Sequence, residues 1–197
     1  MKKIVAFSLV TLAVCAAQAQ TQETSAAPAV GSTHFFIGLD AGGGGDTLAN
    51  VSYTNGGGQS IKAGNGVQIK GGIEYKFSPS IAMRSSLGYH VESTNANNGS
   101  VTFSRWPLEV IGLWSASEKV RLGAGVRKAT SAKLEGSGAA ASLGNYSLDS
   151  KVGLVLEAEY LLTPHAGITL RTVNEKYTYQ GSNIDGSHVA LGLNWYF

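Results

Sequence analysis

The sequence predicts an all-β fold, an eight-stranded antiparallel up-and-down barrel that spans a membrane. Three observations predict it: eight segments in which apolar and polar residues alternate, connections that alternate between long and short, and aromatic residues gathered at one end of the strands. Only 14 % of the 197 residues are charged and 43 % are hydrophobic. This balance excludes an intrinsically disordered chain, which needs high charge and low hydrophobicity.

The first 19 residues are typical of a secretory signal peptide. The stretch "MKKIVAFSLVTLAVCAAQAQ" has a basic start, an apolar run of about 14 residues and a small-residue site that predicts cleavage after Ala19. The run is short for a transmembrane helix, which needs about 20 residues. Lipidation at Cys15 is disfavoured because Val14 precedes it. We therefore expect a signal peptide at 1–19, a short periplasmic lead-in at 20–32 and the barrel at 33–197.

The mature chain is electrically neutral. Cleavage removes Lys2 and Lys3, which leaves thirteen acidic and thirteen basic residues and no cysteine. The sequence pI of about 8.6 therefore does not indicate a nucleic-acid partner. A chain without cysteine suits an oxidising exterior without needing disulfides.

Each of the eight segments has one apolar face. In chain order the segments are 34–42, 67–77, 81–92, 106–114, 120–128, 151–161, 166–173 and 188–197. Their apolar sets begin with Phe35, Ile37 and Leu39, and continue with Val67, Ile69 and Ile73; Ile81, Met83 and Leu87; Leu108, Val110 and Trp114; Val120, Leu122 and Val126; Leu154, Leu156 and Tyr160; Ala166, Ile168 and Leu170; and Val189, Leu191 and Leu193. A face that alternates in this way, repeated eight times, favours strands with one side in lipid.

The connections predict the orientation. Strands two and three are joined by "SPS" at 78–80 and strands six and seven by "TPH" at 163–165, whereas 42–66 and 129–148 are long and rich in Gly, Ser, Ala and Asn. Short turns are typical of the periplasmic side of an outer-membrane barrel and long loops of the outside. An even number of strands then places both termini in the periplasm.

Aromatic residues predict where the membrane surface lies. On the apolar face, the strands that descend toward the short turns end in six aromatic residues: Tyr75, Phe77, Trp114, Tyr160, Trp195 and Phe197. Such residues form a girdle at headgroup depth. Tyr89 and Trp106 lie at the opposite ends of their strands and could supply the upper girdle.

The chain also ends inside a strand, at Phe197. Because a closed barrel pairs its last strand with its first, its C-terminus must be strand. Alternating apolar residues before a final aromatic resemble the C-terminal signature of bacterial outer-membrane proteins: Val189, Leu191, Leu193, Trp195 and Phe197. The resemblance, to small barrels of the OmpA/OmpX type, implies that the barrel-assembly machinery reads these residues and that the chain resides in the bacterial outer membrane.

The opposite faces of the strands predict a charged interior. Seven acids and seven bases have this parity: Asp40, Glu74, Glu92, Glu109, Glu157, Glu159 and Glu175, with Lys70, Lys76, Arg84, Arg121, Arg127, Lys151 and Arg171. An eight-stranded barrel is just wide enough for its own side chains, and buried charges must pair. A balanced set favours a plug over a selective pore. Two places fit poorly: "NEK" at 174–176 interrupts the apolar face, and Phe103 turns inward unless a bulge near Pro107 corrects it.

Signals for chemistry are weak. Asp185, Ser187 and His188 lie at the predicted outer rim, but adjacent residues of a strand face opposite sides, so a serine–histidine contact is hard to form. His34, His90 and His165 show no metal-ligand spacing. The stretch "AGGGGD" at 41–46 is similar to a phosphate-binding loop but lacks Gly-Lys-Ser/Thr and a following helix, so we expect a flexible outer loop. We expect no enzyme activity, cofactor or metal.

The sequence therefore predicts an outer-membrane barrel with a structural or surface-interaction role and a plugged interior. The alternatives are a narrow channel for small solutes, an adhesin acting through the first and third outer loops, and an enzyme that modifies lipid A. The partners expected are lipopolysaccharide in the outer leaflet, phospholipid in the inner leaflet and the assembly machinery. We expect a monomer that does not bind nucleic acid.

Overall fold

A computed structural model describes residues 30–52, 57–96 and 99–197. Its strands are β1 (Thr33–Gly44), β2 (Thr47–Ser52), β3 (Gly58–Lys62), β4 (Gly66–Lys76), β5 (Ile81–Ala96), β6 (Gly99–Ser115), β7 (Val120–Gly138), β8 (Asn145–Ser150), β9 (Gly153–Thr163), β10 (Ala166–Asn174), β11 (Lys176–Tyr179), β12 (Ser182–Asp185) and β13 (His188–Tyr196). A single 3₁₀ turn spans Ala141–Leu143. The predicted signal peptide and its cleavage site lie outside the described residues. Within the described ranges, no helix has the length and apolar character needed to cross a membrane.

Eight strands close into one antiparallel barrel. Neighbouring strands pair in the order β1, β4, β5, β6, β7, β9, β10 and β13, and β13 pairs with β1 to complete the ring. The predicted eight-stranded antiparallel barrel is confirmed. At the closing seam, the terminal Phe197 N–H donates to the Phe35 carbonyl at 3.0 Å. We call the end that carries this seam and the short turns the turn end, and the opposite end the loop end.

The strand register sets the tilt of the barrel. If register partners are followed from strand to strand once around the ring, the path that leaves β1 at His34 returns to β1 at Gly44. The point of return lies ten residues nearer the loop end. With about 3.3 Å per residue and about 4.8 Å between strands, this shear tilts the strands by about 40°. A residue paired across to the next strand in this order therefore lies about 3 Å further toward the loop end.

The outward face forms an apolar band between aromatic residues. Trp106 and Trp114 are both about half exposed and lie eight residues apart on β6. The separation corresponds to about 26 Å along the strand and about 20 Å along the barrel axis. This height is close to the apolar band of about 25 Å that outer-membrane barrels present to lipid. The "NEK" interruption falls at the upper edge of the band, where β10 ends at Asn174 and β11 begins at Lys176.

The loop end is more regular than the sequence predicts. Segment 129–148, predicted as a long loop, is mostly strand, because β7 continues to Gly138 and pairs with both β6 and β8. Segment 42–66, which includes the stretch predicted to be a flexible loop, continues β1 to Gly44 and then forms the hairpin of β2 and β3. The loop-end parts of the long strands β5, β6 and β7, together with the short strands β8, β11 and β12, thus form an extension beyond the apolar band.

A bulge interrupts the pairing of β6 with β7 close to Pro107. Burial alternates without interruption along β6, so Phe103 and Pro107 both face inward. The register shifts opposite Ser104 and Trp106, and the extra residue belongs to β7, where Ser131 has a φ of 49°. A bulge near Pro107 is therefore confirmed, but because the extra residue belongs to β7 it does not turn Phe103 outward, and Phe103 packs in the apolar interior.

Glycines on the interior face make room for long side chains. A Cβ at Gly192 would meet the Asp40 carboxylate and would lie 2.7 Å from the Thr169 Oγ1. That carboxylate cannot move aside easily, since Lys70 and Arg171 both hold it. Gly71 faces outward instead, and a Cβ there would make ordinary contacts, 3.7 Å from the nearest atom.

The substitution Gly192→Ala is therefore expected to destabilise the barrel by about 1–3 kcal/mol, the usual cost of overpacking. The free energy of unfolding would be measured by denaturant titration of the protein refolded into lipid vesicles.

The matched control is Gly71→Ala, expected to change stability by no more than about 0.5 kcal/mol. Equal losses in the two variants would contradict a tightly filled interior.

Candidate functional site

The barrel interior is filled by charged side chains of both signs. Six acids and six bases form ion pairs along its length, and we call these twelve residues the ionic plug: Asp40, Glu74, Glu109, Glu157, Glu159, Glu175, Lys70, Arg84, Arg105, Arg121, Arg127 and Arg171. Their side chains are 0–11 % exposed. The plug carries no formal net charge.

Arg84 organises the plug near the turn end. Its guanidinium pairs with Glu157 at 2.7 Å and with Glu74 and Glu159 at 3.1 Å each. Arg121 joins the same group, because it pairs with Glu74 at 2.6 Å and also with Glu159. Both guanidiniums donate to the hydroxyl of Tyr196, which in turn donates to Glu159. Every carboxylate at this level therefore has at least one cation.

Arg171 holds the middle of the plug. It pairs with Glu109 at 2.6 Å, with Asp40 at 2.9 Å and with Glu157 at 3.4 Å. Lys70 adds a second cation to Asp40 at 2.9 Å. Since Glu157 also pairs with Arg84, the middle and turn-end groups form one continuous network.

Toward the loop end the plug finishes at Glu175, whose ion pairs are longer than most of the others. Arg127 connects Glu109, at 2.8 Å, to Glu175, at 3.3 Å, and Arg105 approaches Glu175 at 3.8 Å. The Arg105 guanidinium also lies over the ring of Phe103, with 4.9 Å between its carbon and the ring centroid. A cation–π contact of this kind is favourable where the cation is removed from water. Arg105 thus ends the plug and begins an apolar layer.

The hairpin of β2 and β3, which we call the cap, covers this apolar layer. Ile61, from the cap, and Ala63, directly after it, are fully buried. They belong to a cluster with inward-facing residues of the extension: Val101, Phe103, Ala129, Ala132, Leu134, Leu148 and Tyr177. Glu92 anchors the cap by accepting hydrogen bonds from the Lys62 N–H at 2.8 Å and from Asn65 at 3.1 Å. The mouth of the barrel is therefore closed by a small hydrophobic core.

A small cavity remains inside the barrel, beside the Asp40, Arg127 and Arg171 side chains of the plug. It has a volume of about 10 Å³ and is lined in part by Asp40, Gln68, His90, Arg127 and His188. Such a volume suits about one water molecule. The arrangement can hold water and neutralise charge at this level, but it is too small for a solute.

Eleven of the fourteen residues predicted for the interior belong to the plug, and three do not. Lys76 has inward parity but lies half-buried at the open turn end. Glu92 forms no ion pair within 4.0 Å in the described ranges and instead accepts hydrogen bonds from the Lys62 N–H and from Asn65. Lys151 is exposed, because the chain leaves strand geometry between β8 and β9, and its ammonium donates to Asn183 at 2.8 Å. Arg105 was missed, although it shares the parity of Glu109 on β6.

The residues predicted at the outer rim do not converge. The Ser187 N–H donates to Asp185 at 2.9 Å, and the hydrogen bonds from Ser187 hold the pKa of Asp185 below its usual range. His188 points into the interior, where its ring lies 5.4 Å from that of His90. His34 and His165 lie apart at the turn end, bonded to the carbonyls of Phe197 and Tyr196. In the described ranges, no three His, Cys, Asp or Glu residues are placed to hold a metal ion.

The predicted surface residues all lie on the outward face. The six girdle aromatics are exposed at the turn end: Tyr75, Phe77, Trp114, Tyr160, Trp195 and Phe197. Tyr89 and Trp106 form a pair at the loop end of the band, with ring centroids 4.9 Å apart. Val189, Leu191 and Leu193 of the C-terminal signature are likewise exposed along β13. Recognition of that signature by the assembly machinery stays a prediction.

Comparison with known proteins identifies the fold. No protein-family model and no curated protein sequence matches the chain. Among solved structures, the chain is similar to Ail, the attachment invasion locus protein of Yersinia pestis, in complex with the heparin analogue sucrose octasulfate. The two chains share 12 % sequence identity, and the TM-score is 0.55 over 86 % of this chain and 100 % of Ail. A second Ail structure gives 16 % identity and a TM-score of 0.51 over the same shares. The likeness confirms that the chain has the fold of small outer-membrane barrels.

Removing Arg84 tests the energetic role of the plug. We expect Arg84→Ala to destabilise the barrel by about 3–5 kcal/mol, because it leaves buried carboxylates without their central cation. The free energy of unfolding in lipid vesicles is the measurement.

Two controls make this result specific. Lys119→Ala, at an exposed turn, should change stability by at most about 0.5 kcal/mol. The double variant Arg84→Ala/Glu157→Ala should lose less than the sum of its single variants, since the two side chains interact directly. Additive losses would show that the ion pair is not the cause.

Proposed function

We propose that this outer-membrane barrel is a non-conducting envelope protein, which holds a rigid β-extension above the outer leaflet. The turn end and both termini face the periplasm in this proposal, and the loop end faces the outside. The observation that carries the proposal is the double closure of the lumen, by the ionic plug within the membrane and by the cap above it.

The plug opposes conduction because its pairs span the whole apolar band. A solute would have to separate several buried pairs in sequence, and each separation exposes a charge in a medium where desolvation costs several kcal/mol. Selective filters instead present one dominant sign of charge. The interior cavity, at about 10 Å³, offers no intermediate resting place for a solute.

The extension supports a surface role. Its apolar core, which includes Val101, Leu134 and Leu148, fixes strands that would otherwise be mobile loops. Tyr146 and Tyr179 form an edge-to-face pair on it, with ring centroids 5.2 Å apart, and Tyr146 is 39 % exposed. Rigid, partly exposed tyrosines are suited to binding because ordering them costs little entropy. The proposal assigns no chemical reaction to the protein.

Conductance in a planar lipid bilayer tests the closure. The wild-type protein should be electrically silent, and a variant in which a short turn replaces residues 47–62 should also be silent, because the plug remains. Removing the cap together with Arg84→Ala and Arg171→Ala should produce discrete current steps.

Two outcomes would contradict the proposal. Salt-dependent steps from the wild-type protein would identify a channel. Steps that appear on removal of the cap alone would show that the plug conducts and that the cap is its gate.

The absence of chemistry is tested separately. Lipid A from cells with and without the protein should have the same composition by thin-layer chromatography. A species that depends on the protein would identify a lipid-modifying enzyme and overturn this part of the proposal.

A further inference from the structure

Three exposed lysines lie in neighbouring segments of the barrel wall at the loop end of the apolar band. Lys128 belongs to β7, Lys151 lies between β8 and β9, and Lys176 begins β11. We call them the lysine row. Because neighbouring strands are about 4.8 Å apart, the row extends over about 10 Å of the barrel wall.

The strand register places the row at the depth of the upper aromatic pair. Lys128 is paired with Leu108, two residues below Trp106 on β6. Val126, Leu154 and Asn174 are paired across β7, β9 and β10. Lys128 and Lys176 follow Val126 and Asn174 by two residues, and Lys151 precedes Leu154 by three, so each lysine lies nearer the loop end than its reference residue. With the tilt derived above, all three Cα atoms lie within about 5 Å of that of Trp106 along the barrel axis. Trp and Tyr at this position mark the headgroup region.

The lysine row differs from the interior cations in having no carboxylate partner. Every cation of the ionic plug is paired, whereas no carboxylate of the described ranges lies within 4.0 Å of the ammonium of Lys128, Lys151 or Lys176. The ammonium of Lys151 donates to the Asn183 amide oxygen at 2.8 Å. Asp185 is the register partner of Lys176 and attracts it electrostatically, but the two charged groups lie more than 4.0 Å apart and the carboxylate accepts a hydrogen bond from the Ser187 N–H.

We propose that the lysine row binds the phosphate groups of a phosphorylated glycolipid in the outer leaflet. This inference rests on the orientation in the proposed function, in which the loop end faces outside. Like charges that lie close together repel one another, and no protein carboxylate of the described ranges lies within ion-pair distance of these three lysines to offset that repulsion. A head group that carries two phosphates supplies the missing charge at the depth and over the width of the row.

The chemistry favours a lipid over a free ion. The three lysines are exposed at the depth of the headgroup layer and are not enclosed in a pocket that could strip water from inorganic phosphate. Lysines near an anionic surface contribute about 1 kcal/mol each, which corresponds to about fivefold in affinity. A lipid gains further affinity from acyl chains that lie against the apolar band below Lys128.

Displacement of a quenching lipid measures this binding. The full-length protein, with Trp114→Phe and Trp195→Phe, keeps Trp106 as its one tryptophan and is refolded into vesicles of brominated phosphatidylcholine. Bis-phosphorylated lipid A that displaces brominated lipid near β6 and β7 restores the fluorescence of Trp106. The relative affinity should fall about fivefold for Lys176→Gln and by up to about a hundredfold when all three lysines become glutamine.

A matched triple variant controls for total charge. Lys62→Gln, Lys119→Gln and Lys133→Gln remove three lysines outside the row and should leave the affinity for lipid A unchanged. Lipid A with both phosphates removed should bind the wild-type protein and the row variant equally. Symmetric vesicles make the result independent of barrel orientation and of conductance, so a failure of this inference can be distinguished from a failure of the proposed function.

Three outcomes would overturn the inference. One is an equal affinity for lipid A in the wild-type protein and in the variant without the row. Another is an equal loss in both triple variants, which would indicate general attraction between charges. The third is full displacement of lipid A by inorganic phosphate, which would assign the row to a free anion.

Discussion

Neutralisation of charge inside a narrow barrel is the constraint on which the structure depends. A shear of ten residues in an eight-stranded barrel leaves a lumen that side chains can fill, so a charge placed there must find its counter-charge within the same lumen. Arginine meets this demand because its planar guanidinium can serve several carboxylates at once, as Arg84 and Arg171 do. Glycines such as Gly192 provide the space that these long side chains need.

The same constraint explains why the interior changes character at the loop end. Above the membrane, counter-charges inside the barrel are no longer the only means of closure, because a segment of the chain can fold back over the mouth. Arg105 lies at this transition, because its guanidinium approaches the Glu175 carboxylate and also lies over the ring of Phe103. Beyond that point the inward positions are apolar, and the cap covers them with Ile61. An ionic layer and an apolar layer thus close one lumen in series.

The faces of the strands could be predicted from the sequence because a period of two is a local property. Leu154, Leu156 and Tyr160 lie outward and Glu157 and Glu159 inward, as their parity requires. The alternation does not reveal how far along the barrel axis a residue lies, however. Lys76 and Lys151 were therefore predicted to join the ionic plug, although neither lies at the height of its ion pairs. The cap and the bulge at Ser131 depend on contacts between segments distant in sequence, and Gly/Asn/Ser-rich stretches carry little local signal for them. The same alternation predicts that Arg105 faces inward, because it lies on the same face of β6 as Glu109.

The charges of this barrel are therefore divided by position into two sets with different requirements. Inside, six cations and six anions neutralise one another, and any excess of either sign would remain uncompensated in a medium of low dielectric constant. Outside, at headgroup depth, water and lipid can solvate a lysine, so Lys128 and Lys176 need no protein partner to fold. In the proposed arrangement, their counter-charge comes from phosphate groups of the outer leaflet and not from the protein.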